Sequence, residues 1–293
     1  MEGNFINRKK SFELEMMDTG RFKNLGCGAF FIIYTLYSSN IIRMMSRKEL
    51  IVFILVILTF AIISQFLVAP YTNRILTKDI SDRLAKNEQG QLTTDARTSL
   101  LKDLLSLPKS VCIEVILVIL AASITPVIIL LIKFHITMYI FLHIVNCCIC
   151  GLYISGATAF CYSETLCCKV ATTLIEQGIN KAAIHKDKFY GASAKKRIFY
   201  FTILPIIISS AAQCTILNAS LFEGWKNSIA YRHIIFVITC NASISIAVGY
   251  YLHKILTVNT RNITIVLEKL TDHKNNLFLP TDLNHELSYN IFL

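Results

Sequence analysis

The sequence has few charged residues. Only 16% of its 293 residues are Asp, Glu, Lys or Arg, whereas 54% are apolar, and soluble domains carry roughly 25% charged residues. A chain this poor in charge is not an ordinary soluble domain. The net charge of +10 would indicate nucleic-acid binding in a soluble protein. Here the basic residues flank apolar stretches, as in membrane proteins, so we expect no nucleic-acid partner.

The sequence also lacks the short motifs of common catalytic chemistries. It contains no glycine-rich phosphate loop, no His-Glu-x-x-His zinc motif and no Gly-x-Ser-x-Gly nucleophile elbow. Most of its ten cysteines lie in or beside apolar runs, where cysteine behaves as a small apolar residue. We therefore expect no disulfide framework, no metal site, no cofactor, no catalytic residue and no enzymatic activity for this chain.

Long apolar runs are what the sequence has in abundance. A helix needs about 20 such residues to cross the hydrocarbon core of a bilayer. Several runs approach this length, and they predict an all-α integral membrane protein with about six transmembrane helices and a lipid bilayer as its main partner. The predicted spans are 27–42, 51–69, 110–132, 137–160, 198–221 and 234–252, after a basic cytoplasmic tail, 1–24. Pro70 is expected to end the second span.

Amphipathic segments follow each pair of predicted spans and indicate an internal repeat. Their starts lie 90 residues apart, at Ile75-Leu76-Thr77, Thr165-Leu166-Cys167 and Ile255-Leu256-Thr257. Regular spacing with the same order of elements is typical of repeated units. The membrane domain, 25–252, is therefore predicted to be built from helical hairpins that are each followed by an amphipathic helix, and the third such helix lies in the C-terminal segment.

Glycine and proline divide the two long linkers between the spans. The first linker is expected to contain two helices, separated near Gly90. The second of these begins at Thr94 or Asp95 and is expected to end before Pro108. In the second linker, Gly178 is expected to end the amphipathic helix. Most lysines and arginines lie in these linkers and near the termini, so both linkers and both termini are predicted to face the cytoplasm.

The C-terminal segment, 253–293, has the pattern of a signalling linker. One apolar face of its first helix is spaced at i, i+3, i+4 and i+7. That face is formed by Ile263, Val266, Leu267 and Leu270. This helix is followed by a polar turn and by a connector that contains Pro280. A second helix starts at Glu286-Leu287. This order resembles a HAMP linker whose second helix is cut short.

Six spans, short outer turns and a terminal HAMP-like segment together resemble a known membrane module. It is the input module of bacterial six-span, HAMP-linked class III adenylate cyclases and of related chemoreceptors and sensor kinases. The resemblance covers 25–293 in architecture and is specific only near Ile255. It implies a sensor and transducer in the bacterial inner membrane that forms homodimers through the HAMP-like segment. The family's output domain has no counterpart here, and the sequence does not identify a stimulus.

Polar residues inside the predicted spans are the remaining candidates for a site. They are His143, Asn146, Gln213 and Asn241. An ionisable residue inside a membrane is a functional hypothesis by default, although a neutral histidine can instead hydrogen-bond a neighbouring helix. Asn and Gln often join helices in the same way. These residues leave a small polytopic transporter or channel subunit as the alternative function.

Overall fold

The computed structural model describes residues 45–134, 138–179 and 199–208, with single helical residues among 12–16 and 210–246. All regular secondary structure in these parts is helical, and they contain no strand. The predicted all-α class is therefore confirmed for the described residues. The first predicted span, part of the fifth, most of the sixth and the HAMP-like segment lie outside them.

Four long helices account for most of the described chain. They are α1 (Arg47–Ile63), α2 (Ala69–Glu88), α3 (Thr94–Phe134) and α4 (Met138–Glu176); α1 and α2 are joined by a π-helical segment, Ser64–Val68. With 41 residues, α3 is about 60 Å long at 1.5 Å per residue. It is therefore roughly twice as long as the ~30 Å hydrocarbon core of a bilayer.

Local signals in the sequence set the helix boundaries. Before α1, the Ser46 N–H donates to Glu49 Oε2 at 2.6 Å and the Glu49 N–H donates to Ser46 Oγ at 3.3 Å. This reciprocal pair satisfies backbone donors that have no partner inside the helix. After α2 and α4, Gly90 (φ 70°) and Gly178 (φ 93°) adopt the left-handed conformation, which glycine adopts at the least cost. The predicted helix ends at these two glycines are confirmed.

Two proline predictions are wrong. Pro70 lies in the first turn of α2 instead of following the end of a helix, and a proline in a first turn loses no intrahelical hydrogen bond. Pro108 lies inside α3, which continues to Phe134. An internal proline costs about 3 kcal/mol. Leu104, Leu107 and Val111 surround it and are all buried, and we attribute the continuity of the helix to that packing.

Two of these helices are long and apolar enough to cross a membrane. The stretches concerned are Thr94–Ile129 and Ile144–Ile175. Leu117 is 59% exposed on α3, and Leu55 is 58% exposed on α1. The apolar parts of the helices therefore present large unburied side chains, as lipid-facing helices do.

The main core lies towards the polar end of the helices. Leu100, Leu101 and Leu104 of α3 are fully buried and belong to one cluster with Leu174 of α4 and Ile80 of α2. These residues come from the segments predicted as linkers. We call the region formed by 69–107 and 159–178 the inner junction.

Candidate functional site

In the inner junction, the buried residues of α2 and α4 correspond in sequence. Along α2, small or polar buried residues occur at every fourth position. Along α4, the same spacing occurs at the positions that are 90 residues later in the sequence. The two sets are Ala69, Asn73, Thr77 and Ser81, and Ala159, Ser163, Cys167 and Ala171. Small residues at this spacing permit close helix approach. Four positions of α2 and the four positions 90 residues later in α4 are thus all buried.

Two equivalent residues contact each other directly. Asn87 Nδ2 donates a hydrogen bond to Gln177 Oε1, across a sequence separation of 90 residues. The end of α2 and the residue that follows α4 therefore lie side by side.

Arg97 fixes the end of α4 to the start of α3. Its guanidinium donates to the Gln177 carbonyl at 2.6 Å and is 3.5 Å from the Gly178 carbonyl. These carbonyls lie at a helix C-terminus, where the helix dipole is negative and a cation is stabilising. The first turn of α3 is therefore linked to the residues that follow α4.

Arg83 forms the ion pair between α2 and α3. Its Nη1 atom lies 2.5 Å from Asp103 Oδ2 and 3.3 Å from Asp79 Oδ2. The Arg83 side chain is 21% exposed, whereas that of Asp103 is 47% exposed. Water screens a pair this open, so we assign it less than about 1 kcal/mol. It fixes the register of α2 against α3 more than it stabilises the fold.

A polar contact also occurs near the π-helical segment. The Thr72 hydroxyl faces Glu114 Oε1 of α3, and it lies 2.8 Å from the Val68 carbonyl and 3.3 Å from the Ala69 carbonyl. A hydroxyl carries one proton, so these three oxygens compete for one donor. Thr72 and Glu114 thus connect α2 and α3 where the apolar region adjoins the inner junction.

A groove opens between the ends of α2 and α4. Its volume is about 370 Å³, and its polar lining includes Ser81, Asn87, Lys169 and Gln177. Asn87 Oδ1 is buried without a hydrogen-bond partner. A buried acceptor without a donor costs about 1–3 kcal/mol.

The described part of the chain offers no evident metal site. No group of three or more His, Cys, Asp or Glu side chains within it could hold an ion. The groove has a polar lining that is suited to hydrogen bonding. It includes Lys169, Glu15, Glu88 and the amides of Asn87 and Gln177.

Only two of the candidates predicted from sequence fall within described helices. His143 and Asn146 both lie in the first three turns of α4, and Asn146 is partly exposed. Seventeen residues at 1.5 Å each place Asn146 about 25 Å from Ser163 of the inner junction. The structure therefore does not bring these two residues into the junction.

The other predicted residues lie outside the described part of the chain. They are Gln213, Asn241, Ile263, Val266, Leu267, Leu270, Glu286 and Leu287. Sequence reasoning missed Asn73, Asn87, Arg97 and Gln177. The 90-residue repeat relates Asn87 to Gln177 and could have identified that pair.

We expect Cys167 to resist alkylation in the folded chain. It is fully buried, whereas its neighbour Cys168 is partly exposed. A reagent reaches a buried thiol only after local opening. Alkylation at pH 8, followed by peptide mass mapping, should modify Cys168 at least about tenfold faster than Cys167, because local opening that costs 1.4 kcal/mol already slows a reaction tenfold. In denaturant the two rates should converge, and equal rates in the folded chain would contradict the burial.

No family model, characterised protein or solved structure matches this chain.

Proposed function

We propose that the chain is a membrane-embedded input module that senses a stimulus and transmits it to a cytoplasmic output domain. The observation that carries this proposal is the continuity of α3 and α4. Each runs without interruption from an apolar segment into the packed inner junction. A shift or rotation of either apolar segment would therefore move residues of the junction directly.

The repeat supplies the route to the output. The first two copies of the amphipathic segment, in α2 and α4, bury equivalent faces in the junction. In our proposal the third copy, which begins at Ile255, continues span six into the HAMP-like segment. A movement of span six would then change the packing of that segment in a homodimer. Each arrangement would favour one output state.

The proposed setting is a bacterial inner membrane, with six spans and both termini in the cytoplasm. The low charge content and the two long apolar helices support the membrane location. Phe12 and Met16 belong to the same buried cluster as Leu100 and Leu174. That contact supports an amino terminus on the same side as both linkers.

Labelling of single cysteines tests the orientation. In a cysteine-free background, cysteine at Gln89 or Lys186 should not react with a membrane-impermeant maleimide in intact cells, whereas cysteine at Asn227 should react. Gln89 is suitable because it is exposed at the end of α2. Permeabilised cells provide the control, since all three positions should react there. Labelling of Gln89 and Lys186 but not Asn227 in intact cells would reverse the topology.

A fusion protein tests the signalling function. We expect the chain, extended by a complete second HAMP helix and a cyclase domain, to yield a cyclase whose activity depends on the input module. Aspartate at Val266 or Leu270 should remove that dependence, because a buried charge disrupts a coiled-coil-like seam. Cyclic nucleotide production is the measurement.

Lys269→Asp is the control for this fusion. It introduces the same residue on the same predicted helix, away from the face formed by Ile263, Val266, Leu267 and Leu270. It should leave regulation intact. A fusion that behaved identically with aspartate at Val266 and at Leu270 would rule out the HAMP interpretation.

One observation favours the alternative of a transporter or channel subunit. The π-helical segment Ser64–Val68 interrupts the α-helical geometry directly before the contact between Thr72 and Glu114. Irregular helix turns and intramembrane carboxyl groups are typical of ion and substrate pathways. Solute flux in reconstituted vesicles that depends on Glu114 would support this function. An input module would not be expected to carry solute flux.

A further inference from the structure

The amino-terminal segment contributes two side chains to the buried core. Phe12 is 8% exposed and Met16 is 2% exposed, whereas Glu15 between them is exposed. Residues four apart lie on the same face of a helical turn. Phe12 and Met16 therefore form one apolar face, and that face is buried in the protein.

This face lies at the groove between the ends of α2 and α4. Phe12 and Glu15 line the groove together with Ser81 and Asn87 of α2 and Gln177 of α4. Phe12 and Met16 also share the buried cluster with Ile80, Leu100 and Leu174. The segment thus contacts the core to which both helix ends belong.

The two helix ends are not fully packed against each other. Asn87 and Gln177 form a hydrogen bond between the two helix ends, yet a groove of about 370 Å³ remains beside that pair. Asn87 Oδ1 is buried without a partner at the same place. An interface with a groove and an unsatisfied acceptor is held less firmly than a close-packed one.

We infer that Phe12 and Met16 form a latch, in which Phe12 from the groove and Met16 from the buried cluster hold the inner ends of α2 and α4 in place. Withdrawal of these two side chains would expose apolar core and free the helix ends to move. A latch of this kind is a control point in the inner junction. It goes beyond the proposed function, because it acts on the described helices whatever the chain transmits.

Hydrogen–deuterium exchange of the full chain in detergent tests the latch. In Phe12→Ala/Met16→Ala, amides at the ends of α2 and α4 (82–90 and 172–178) should exchange at least about tenfold faster than in the unmodified chain. A tenfold change corresponds to about 1.4 kcal/mol of lost protection. Amides of α3 between Leu117 and Val127 should exchange at their original rate.

Two further variants separate a latch from general loss of structure. Ile75→Ala truncates an apolar residue of α2 that is exposed and does not line the groove, and it should not alter exchange. Met16→Leu keeps the buried volume and should also retain protection. Unchanged exchange at the helix ends in Phe12→Ala/Met16→Ala would overturn the inference. A rise that extends through α3, or that occurs equally in Ile75→Ala, would overturn it too.

Discussion

Replacement of Leu104 by alanine is expected to destabilise the folded chain by about 2–5 kcal/mol, because truncation of a buried leucine leaves a cavity as well as losing apolar burial. Leu104 is fully buried in α3, between Leu100, Leu101 and Leu107 of the same cluster. Pro108 follows in the next turn and weakens the helix there. The helix around Leu104 therefore depends on packing more than the rest of α3 does. Thermal unfolding in detergent, followed by circular dichroism, measures the change.

Leu117→Ala is the matched control. Leu117 lies in the same helix and is 59% exposed, so its truncation leaves no internal cavity. The midpoint temperature of unfolding of Leu117→Ala should stay close to that of the unmodified chain. The midpoint temperature of Leu104→Ala should be lower. Equal changes for the two leucines would mean that the inner junction is not the stabilising core.

The sequence was sufficient where local signals decide the structure. Gly90 and Gly178 end helices because their backbones adopt positive φ. The helical class followed from composition and from the length of the apolar runs. Each of these predictions rests on a few consecutive residues.

The sequence was insufficient where distant residues decide the structure. Pro108 has an unfavourable local effect, and only its buried neighbours explain why α3 continues through it. The contacts of Arg83 with Asp103 and of Arg97 with Gln177 depend on how α2, α3 and α4 pack. No local pattern specifies such a pairing.

The location of the core also could not be obtained from hydropathy. The most apolar segments expose large side chains such as Leu55 and Leu117, whereas Leu100 and Leu101 of a predicted linker are fully buried. In a membrane protein, apolar residues can face lipid, so hydropathy does not distinguish burial in protein from contact with lipid. The 90-residue repeat distinguishes them better, since both copies bury small residues such as Thr77 and Cys167.

Gly156→Leu is expected to force α3 and α4 apart. Gly156 is buried in α4. A Cβ atom added there would lie 3.0 Å from Ile116 Cδ1 and Cγ1, and 3.5 Å from Cys112 Sγ. Leucine adds three further carbon atoms in the same space. Overpacking of this kind costs about 1–3 kcal/mol, and a small residue is what allows two membrane helices to approach closely.

Thr158→Leu controls for the added bulk and apolar character. Thr158 is two residues further along α4 and exposed, and its hydroxyl bonds the Ile154 carbonyl at 2.7 Å within its own helix. A leucine there would extend into the surrounding lipid or detergent without meeting α3. Thermal unfolding in detergent should therefore show a lower midpoint for Gly156→Leu and little change for Thr158→Leu. If Gly156→Leu unfolded at the original temperature, α3 and α4 would not approach each other at Gly156, and the continuous path from the apolar segments to the inner junction would lose its closest helix contact.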